Sequence, residues 1–286
     1  MIGDGGVRPR VLVTGATEVV GRVAIDCLLD AGVRTRALVP PTKAAGVPDA
    51  VDVAFGDLTA PESLDAALVE IDAMLLVPAG APNREVLERI RTAGLRRIIV
   101  LSSASAPWER AQPRASRHFL AWEQAVEATG LGWTHIRPAG LMAASWQWAE
   151  DIRSDSVVRE GFPTARYPYV HEWDVAAVAV AALLDQRHDG ARYLTTGPAA
   201  ISAADRVRDL AEAIGRPLRL EQLSEDQAIA RWRALGYDED SIEIQLIVSR
   251  DQVDKPPRPK RTVEKVLGRP ALPFSQWAID HAEDFQ

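Results

Sequence analysis

The stretch that decides the fold is Arg10-Val11-Leu12-Val13-Thr14-Gly15-Ala16-Thr17-Glu18-Val19-Val20-Gly21-Arg22-Val23. The apolar run up to Val13 predicts a buried strand, Gly15 predicts a tight turn, and Gly21 opens a predicted helix. Glycines in such a turn let the backbone approach a pyrophosphate closely, and the amides at the start of a helix favour negative charge. The stretch is therefore typical of a turn that holds a dinucleotide.

Strand and helix patterns continue to alternate as far as residue 140. Apolar runs predict strands at 11–14, 35–39, 51–55, 73–77, 97–101 and 133–136. Helical patterns lie between them at 21–31, 61–69, 83–93 and 114–128, with Pro61 and Asn83 as start signals. Continuous apolar strands joined by crossover helices are typical of a parallel sheet covered on both faces. We predict an α/β fold with a Rossmann-type doubly wound parallel sheet.

The pattern becomes less regular after residue 140 and is mainly helical. Helices are predicted at 175–184, 203–214, 225–235 and 240–248, a late strand at 193–196, and two short helices within 262–285. We therefore expect a Rossmann domain over 8–140, to which 165–200 return. A smaller, mostly helical C-terminal substrate subdomain is expected over 141–286, intimately joined to it.

Composition narrows the class of protein. With 286 residues, of which 47% are apolar, the chain can bury a substantial core, and its net charge of −7 argues against a nucleic-acid binder. No apolar run is long enough for a membrane span, and the N-terminal residues lack the pattern of a signal peptide. The single cysteine, Cys27, excludes an intrachain disulfide and fits a reducing compartment. We expect a cytoplasmic monomer or homodimer whose partner is a small-molecule substrate.

Several motifs in a fixed order carry a family resemblance. They are Val-Leu-Val-Thr-Gly-Ala-Thr at 11–17, Gly-Asp-Leu at 56–58, Leu-Ser-Ser at 101–103, Gly-Leu-Gly-Trp-Thr-His-Ile-Arg-Pro at 130–138, Trp-Asp-Val-Ala at 173–176 and the tail motifs at 268–270 and 274–277. Over nearly its whole length the chain resembles the NmrA-like branch of the atypical short-chain dehydrogenase/reductase (SDR) superfamily. The resemblance implies a bound NAD or NADP and a small-molecule site shaped by the C-terminal subdomain. Members include reductases of quinones, dyes and plant phenolics, and regulators that bind the cofactor without turning it over.

The predicted cofactor-binding residues are Gly15, Thr17, Glu18, Gly21, Asp57 and Lys43. Glu18 stands where the middle glycine of G-x-x-G-x-x-G is expected, and desolvating a carboxylate beside a pyrophosphate costs on the order of several kcal/mol. In the alternative arrangement the turn directs Glu18 to solvent, and the helix start still binds phosphate. The resemblance places Asp57 near the adenine, and a carboxylate that closes a turn or starts a helix is the alternative.

The segment after the second strand also departs from the family pattern. Pro40 and Pro41 stand where many NADP-binding relatives carry an arginine for the 2′-phosphate, and a proline donates no backbone hydrogen bond. Arg36 should alternate onto a sheet face, which leaves Lys43 as the phosphate candidate. Glu18 and Pro40 count against binding of NAD or NADP, whereas Gly15 and Gly21 favour it.

After Glu18 and Pro40, the proton source is the third feature in which the chain departs from the family pattern. The Tyr-x-x-x-Lys pair of short-chain dehydrogenases is absent, because no tyrosine is followed by lysine four residues later. The resemblance points instead to the start of the helix that is sixth in the family's numbering, which is the predicted helix at 114–128 here. There His118 with Glu123 forms the best acid/base pair. Ser103 and His171 are further catalytic candidates. The structural alternatives are a surface histidine, a solvated glutamate and a serine that caps a loop.

Substrate-binding residues are predicted as Ser102, Met142, Trp146, Tyr167 and Tyr169. The aromatic rings would form a wall for a flat or apolar ligand, and membership of the core is their alternative role. No metal site is predicted, because the five histidines are scattered and the nearby carboxylates form no ligand set with them.

Three functions stay open on the sequence. The first is an NAD(P)H-dependent reductase of a small organic substrate, aromatic or apolar, which needs only a placed cofactor and a proton source. The second is a non-redox isomerase, cyclase or dehydratase of specialised metabolism on a cofactor-independent Rossmann fold. The third is a regulator that senses a nucleotide or a metabolite.

Overall fold

The computed structural model describes residues 9–40, 46–107 and 114–286. Its strands are β1 (Arg10–Val13), β2 (Arg34–Val39), β3 (Asp52–Phe55), β4 (Ala73–Leu76), β5 (Arg97–Leu101), β6 (Gly132–Pro138), β7 (Val157–Glu160), β8 (Ala191–Thr195) and β9 (Arg219–Gln222). Its α-helices are α1 (Val19–Asp30), α2 (Asp65–Leu68), α3 (Arg84–Thr92), α4 (Arg114–Glu127), α5 (Ala149–Asp155), α6 (Glu172–Leu184), α7 (Ala203–Ile214), α8 (Glu225–Ala234), α9 (Glu239–Asp254), α10 (Thr262–Leu267) and α11 (Phe274–Asp280). Short 3₁₀ turns cover Pro61–Leu64, Met142–Trp148, Gln186–His188 and Ala282–Phe285.

A seven-stranded sheet with the order β3-β2-β1-β4-β5-β6-β8 is the centre of the fold. Strands β1 to β6 pair in parallel, and Val13 of β1 lies opposite Ala37 of β2 and Leu75 of β4. Strand order reverses between β1 and β4, and such a switch point is where doubly wound sheets bind ligands at the carboxyl ends of their strands. The predicted Rossmann-type parallel sheet is confirmed.

The chain divides into two compact units. Unit 1 holds the described residues of Met1–Ala106, His118–Arg137 and Val175–Tyr193, and unit 2 holds those of Pro107–Arg117, Pro138–Asp174 and Leu194–Gln286. In unit 1, Val86 and Ile90 of α3 and Trp122 and Val126 of α4 pack with strand side chains in one buried cluster. Each such side chain contributes about 1.5–3 kcal/mol by leaving water, so this core fixes the strand ends that carry the site.

Unit 2 is mainly helical, and it also contains a two-stranded parallel sheet of β7 and β9 that the sequence did not predict. Val157 lies opposite Arg219, and Glu160 lies opposite Gln222. Polar residues fill much of both strands, so neither shows the apolar run of a buried strand. The core of unit 2 is formed by residues of the Met142–Trp148 turn, α5, α7 and α11.

Several predicted elements differ from the observed ones at their ends. Helix α9 continues to Asp254, six residues beyond the predicted end. The predicted helix over 61–69 consists of a 3₁₀ turn followed by the single turn α2. Asn83 caps α3 as predicted, because its side chain accepts a hydrogen bond from the amide of Glu85. None of the helices in the described ranges is long and apolar enough to cross a membrane.

Candidate dinucleotide and substrate site

The turn after β1 is held against the end of β4. The amide of Val77 donates to the Thr14 hydroxyl oxygen at 2.8 Å. Gly15 has φ +62°, and a β-carbon on it would lie 2.7 Å from the β-carbon of Val77. Both the left-handed backbone and the close approach of Val77 therefore require glycine at position 15.

Helix α1 starts directly on this turn. The amide of Glu18 donates to the carbonyl oxygen of Gly15 at 2.9 Å, and the amide of Arg22 donates to the carbonyl oxygen of Glu18 at 2.8 Å. A β-carbon on Gly21 would lie 2.1 Å from the Gly15 carbonyl oxygen. The amides of residues 19–21 precede the first intrahelical hydrogen bond and lie at the carboxyl end of β1, which is the arrangement that binds a phosphate.

Glu18 occupies the position before α1 without strain. Its backbone has φ −83° and ψ 156°, an extended conformation that any residue adopts, and its side chain makes no capping hydrogen bond. Glu18 and the neighbouring Thr17 are both exposed. Of the two arrangements considered for the sequence, the structure has the one in which the carboxylate reaches solvent. Thr17 and Glu18 thus lie between Gly15 in the turn and Gly21 in the first turn of α1.

Asp57 closes the turn that follows β3. Its Oδ1 accepts hydrogen bonds from the amide and the hydroxyl of Thr59, both at 2.7 Å. These two hydrogen bonds lower the pKa of Asp57 below its usual value. The structure therefore gives Asp57 the role of a turn carboxylate, and a contact with adenine stays a prediction.

The basic residues near the end of β2 differ in their availability. Arg36 forms an ion pair with Asp52 and donates to the carbonyl oxygens of Ala66, Ala67 and Val69 at 3.0–3.2 Å. Its guanidinium is therefore committed within unit 1, as its position on a sheet face suggested. Lys43, the predicted phosphate ligand, lies outside the described residues.

Glu123 of α4 is buried, and its carboxylate contacts residues at the ends of β5 and β6. Its carboxylate accepts two hydrogen bonds from Arg137, at 2.9 and 2.5 Å, and one from the Ser102 hydroxyl at 2.5 Å. Burial raises the pKa of Glu123, but the hydrogen bonds from Arg137 and Ser102 and the nearby His135 outweigh it, so the pKa is lowered. The residue is 1% exposed and stays ionised.

The structure gives Glu123, the predicted partner of His118, other hydrogen-bond partners, and an acid/base role for Glu123 stays a prediction. Both residues lie on α4, and the Glu123 carboxylate is instead bonded to Arg137 and Ser102. His118 is half-buried, its ring packs against Phe119, and burial lowers its pKa. Ser103 shares a hydrogen bond with the Ser105 hydroxyl and accepts the Ser105 amide, which is the loop-capping role. A catalytic part for His118 or Ser103 stays a prediction.

Three possible metal ligands meet beside this pair, contrary to the expectation from the scattered histidines. Donor atoms of Glu123, Glu127 and His135 lie within 4.8 Å of one another. Glu127 accepts hydrogen bonds from His135 and from Arg192, and Glu123 is paired with Arg137. The guanidinium groups supply the positive charge that a cation would bring, so the two carboxylates of the cluster are already neutralised within unit 1.

Most of the predicted substrate residues lie in the core of unit 2. Met142 is 1% exposed, and Tyr167 and Tyr169 are 8% exposed with ring centroids 5.1 Å apart. The Tyr167 hydroxyl shares a 2.6 Å hydrogen bond with Ser249. Burial raises the pKa of both tyrosines, so neither is a proton donor poised near neutrality. Their contact with a substrate stays a prediction.

Trp146 and His171 belong to a polar and aromatic cluster of unit 2. The Trp146 indole donates to Asp284 at 3.0 Å, and its ring lies 5.0 Å from that of His281. His171 is 5% exposed, and its Nδ1 accepts the amide of Trp173. The Nε2 atom of His171 lies 3.5 Å from an Asp280 oxygen.

Sequence reasoning missed three polar residues of unit 2, namely the buried Glu172 and Arg206 and the half-buried His281. Glu172 Oε1 accepts the Trp277 indole at 2.9 Å and lies 3.2 Å from Nε2 of His281. Arg206 was detectable, because the spacing of Ala203, Arg206, Val207 and Leu210 places an arginine on the apolar face of α7. No local pattern marks Glu172 or His281, whose contacts join distant parts of the chain.

The chain matches a family model over more than half of its length and known proteins over nearly all of it. A family model described as NAD(P)H-binding matches residues 15–186. The chain is 38% identical to the (4-alkanoyl-5-oxo-2,5-dihydrofuran-3-yl)methyl phosphate reductase of Streptomyces griseus, with 96% of this chain and 99% of that protein covered. It is 28% identical to the NAD(P)H azoreductase of Xenophilus azovorans, again with 96% and 99% covered.

A solved structure has the same fold. The triphenylmethane reductase of Citrobacter sp., crystallised in complex with NADP(H), matches with a TM-score of 0.76 and 21% identity. The match covers 96% of this chain and 99% of that protein. At this identity the likeness supports the Rossmann-type fold and nothing finer.

Proposed function

The chain belongs to the NAD(P)H-binding family of NmrA-like, atypical SDR proteins, and from this premise we propose that it is an NAD(P)H-dependent reductase of an unsaturated lactone. The reaction adds hydride and a proton across the carbon–carbon double bond that is conjugated with the lactone carbonyl. The observation that carries the proposal is the contact between Gly21 and Gly15 at the start of α1, which leaves room only for backbone.

The turn residues fit a dinucleotide. The amides of residues 19–21 would hold the pyrophosphate, and the glycines at 15 and 21 let the backbone come close to it. The Glu18 carboxylate is exposed and lies outside the helix, so it need not be desolvated when a phosphate binds. When bound, the nicotinamide supplies the hydride, and the protein supplies position and electrostatics.

The substrate class follows from the Streptomyces griseus relative, whose identity of 38% extends over nearly the whole chain. Its named substrate is a dihydrofuranone in which the ring double bond is conjugated with both the lactone carbonyl and an alkanoyl carbonyl. Both carbonyls draw electron density from the ring carbon that carries the phosphooxymethyl group. Hydride therefore adds to that carbon, and the proton adds to the carbon between the two carbonyls.

This chemistry suits a chain without a Tyr-x-x-x-Lys pair. Negative charge that develops on the carbon between two carbonyls is delocalised over both oxygens, so the protein needs no strong acid of its own. A weak donor or water suffices for the proton. The candidates in unit 1 for such a donor are His118 on α4 and Ser103 just after β5, and both are half-buried.

The proposal is tested with purified protein, NADPH or NADH, and the phosphorylated alkanoyl dihydrofuranone. We expect one cofactor oxidised per lactone reduced. With NADPH that carries deuterium at the nicotinamide C4, we expect the deuterium on the ring carbon that bears the phosphooxymethyl group. Cofactor binding without oxidation would contradict the assigned substrate class. Failure to bind NADPH and NADH at millimolar concentration would contradict the reductase itself and favour the non-redox enzyme.

A further inference from the structure

The carboxyl end of β2 is the place where a Rossmann-type sheet distinguishes NAD from NADP. A carboxylate near this end accepts a hydrogen bond from the 2′-hydroxyl of the adenosine ribose, or a guanidinium binds the 2′-phosphate that only NADP carries. In this chain β2 ends at Val39, and Pro40 follows it, half-buried and without a backbone N–H to donate. Position 40 therefore offers a phosphate neither a positive charge nor a hydrogen-bond donor.

The arginine within β2 that lies nearest to this end is not free to replace the cation. Arg36 lies three residues before Val39 and is paired in the sheet with Asp52, the first residue of β3. Its guanidinium contacts the Asp52 carboxylate at 2.6 Å and donates to three backbone carbonyl oxygens between residues 66 and 69. These partners hold the positive charge near the amino end of β3, away from the carboxyl end of β2.

The charged group that lies beside the end of β2 is the carboxylate of Asp57. The amide of Gly56 donates to the carbonyl oxygen of Val39 at 3.1 Å, and this hydrogen bond fixes the next residue, Asp57, near the strand end. The approach is close, because a β-carbon on Gly56 would lie 2.9 Å from Cδ1 of Leu38. Two hydrogen bonds from Thr59 lower the pKa of Asp57, so the half-buried carboxylate is ionised at neutral pH.

A second carboxylate, that of Glu18, follows the strand on the other side of β2. Strand β2 lies between β1 and β3, and it continues two residues past Ala37, the register partner of Val13. Neighbouring strands lie about 5 Å apart, so the end of β2 lies beside the turn that leads from β1 to the exposed Glu18. The turns on both sides of the end of β2 therefore each carry an acidic residue.

We propose that the chain selects NADH over NADPH, with Asp57 and Glu18 as the residues that set the preference. The inference rests on the proposed reductase function and names the cofactor of its site. A hydroxyl donates a hydrogen bond to a carboxylate, whereas the 2′-phosphate of NADPH, with up to two negative charges near neutral pH, is repelled by it. Both carboxylates are accessible to solvent, so salt screens the repulsion and decreases the preference.

Fluorescence titration of the purified native protein with NADH and with NADPH tests the preference. At low salt we expect the Kd for NADPH to exceed the Kd for NADH by about tenfold, and this ratio to decrease as the ionic strength rises. NADPH binding at least as tight as NADH binding would overturn the inference and leave the reductase proposal standing. Binding of neither cofactor at millimolar concentration would overturn the reductase proposal and this inference with it.

Asp57→Asn removes the charge and keeps the turn, because the side-chain amide oxygen still accepts both hydrogen bonds from Thr59. We expect the ratio of the Kd for NADPH to the Kd for NADH to fall by about threefold. Glu18→Gln should act in the same direction with a smaller effect, since its carboxylate is fully exposed to salt. Asp30→Asn makes the same charge change at the exposed far end of α1 and should leave the ratio unchanged. The native ratio in both Asp57→Asn and Glu18→Gln would overturn their role.

Pro40→Arg tests the position at the end of β2 directly. A guanidinium there donates two parallel hydrogen bonds to a phosphate, so we expect the ratio to fall by about tenfold or more. Pro40→Gln also removes the proline but adds no charge, and as the matched control it should keep the native ratio to within about twofold. The Kd for NADH of each variant reports whether the turn is intact. A native ratio in Pro40→Arg would show that the 2′-position does not lie at the end of β2 and would overturn the inference.

Lys43 provides the competing explanation. It is the phosphate ligand that the sequence predicts, and it lies outside the described residues. We expect Lys43→Met to change the Kd for NADH and the Kd for NADPH by the same factor, because the pyrophosphate is common to both cofactors. A rise in the Kd for NADPH alone would assign the 2′-phosphate to Lys43 and overturn the inference.

Discussion

A β-carbon on Gly21 would lie 2.1 Å from the carbonyl oxygen of Gly15, so the first turn of α1 is pressed against the loop that leaves β1. This contact holds the unbonded amides of the helix start at the switch point of the sheet. The proposed phosphate binding at this helix start, in a chain with glutamate at position 18, depends on this contact.

Gly21→Ala should therefore weaken cofactor binding and the turn together. The added methyl group forces α1 away from Gly15, which we expect to raise the Kd for NADPH at least tenfold and to lower the free energy of unfolding by about 1–3 kcal/mol. Fluorescence titration measures the first and urea unfolding the second. Asp30→Ala, at the exposed far end of α1, is the matched control. An unchanged Kd would show that the cofactor does not use this turn.

Glu18→Gln tests whether the negative charge of Glu18 weakens cofactor binding at the amides of residues 19–21. Because the carboxylate is exposed, it repels a bound pyrophosphate only through solvent, and we expect its removal to tighten NADPH binding by about twofold to fivefold at low salt. The gain should fall as ionic strength rises, since salt screens exposed charges. Glu18→Gly should bind at least as tightly as Glu18→Gln, and Asp30→Asn should have no effect. Equal affinity of Glu18→Gln and the native chain at low salt would refute the electrostatic role.

Local patterns predicted some elements of both units at their exact bounds. The predicted bounds of the strand at 97–101 and the helix at 203–214 agree with β5 and α7 at both ends. In both, apolar residues repeat with the period of the element itself, and the ends carry their own signals, such as the Ser202 cap before α7. For these two elements, tertiary packing therefore agrees with the secondary structure that the local sequence favours.

The site was less predictable, because its polar contacts join residues from different elements. Glu123 bonds to Arg137, which is 14 residues away along the chain, and to Ser102, which is 21 residues away, and no spacing rule connects them. Strand β7 pairs with β9, a partner about sixty residues later, without an apolar pattern in either. Burial of Glu123 depends on where α4 packs, which the sequence of α4 alone does not state.

The ion pair of Arg137 and Glu123 should be sensitive to the loss of either partner, but not equally. Arg137→Met leaves the buried carboxylate unpaired, which we expect to cost about 3–5 kcal/mol of unfolding free energy. Glu123→Gln leaves a partly exposed guanidinium that water can solvate, so its cost should be smaller. The double variant Arg137→Met/Glu123→Leu should recover part of the loss. Urea unfolding of all three variants gives the coupling, and additive losses would contradict it.

The same pair should contribute to acid stability. The pKa of Glu123 in the folded protein lies below its ordinary value of 4.5, so its contribution is complete above that pH and is lost as the pH falls through the lowered folded pKa. The native chain should therefore lose stability below about pH 4.5 more steeply than Glu123→Gln does. Unfolding midpoints in urea between pH 3 and pH 6 measure this difference, and parallel curves would contradict it.

His281 of unit 2 should affect the pH dependence of stability in the opposite sense, so that His281→Gln costs more unfolding free energy at low pH than at high pH. Burial lowers the pKa of His281, but Glu172 at 3.2 Å and Asp284 at 3.2 Å outweigh it, so the folded pKa lies above the ordinary 6.5. The contribution of the imidazolium is then complete below pH 6.5 and is lost as the pH rises through the folded value. We expect His281→Gln to cost roughly 1.5 kcal/mol near pH 6 and much less near pH 9. Urea unfolding at the two pH values tests this, and an equal cost at both would show that His281 acts by packing against Trp146 and Trp277 alone.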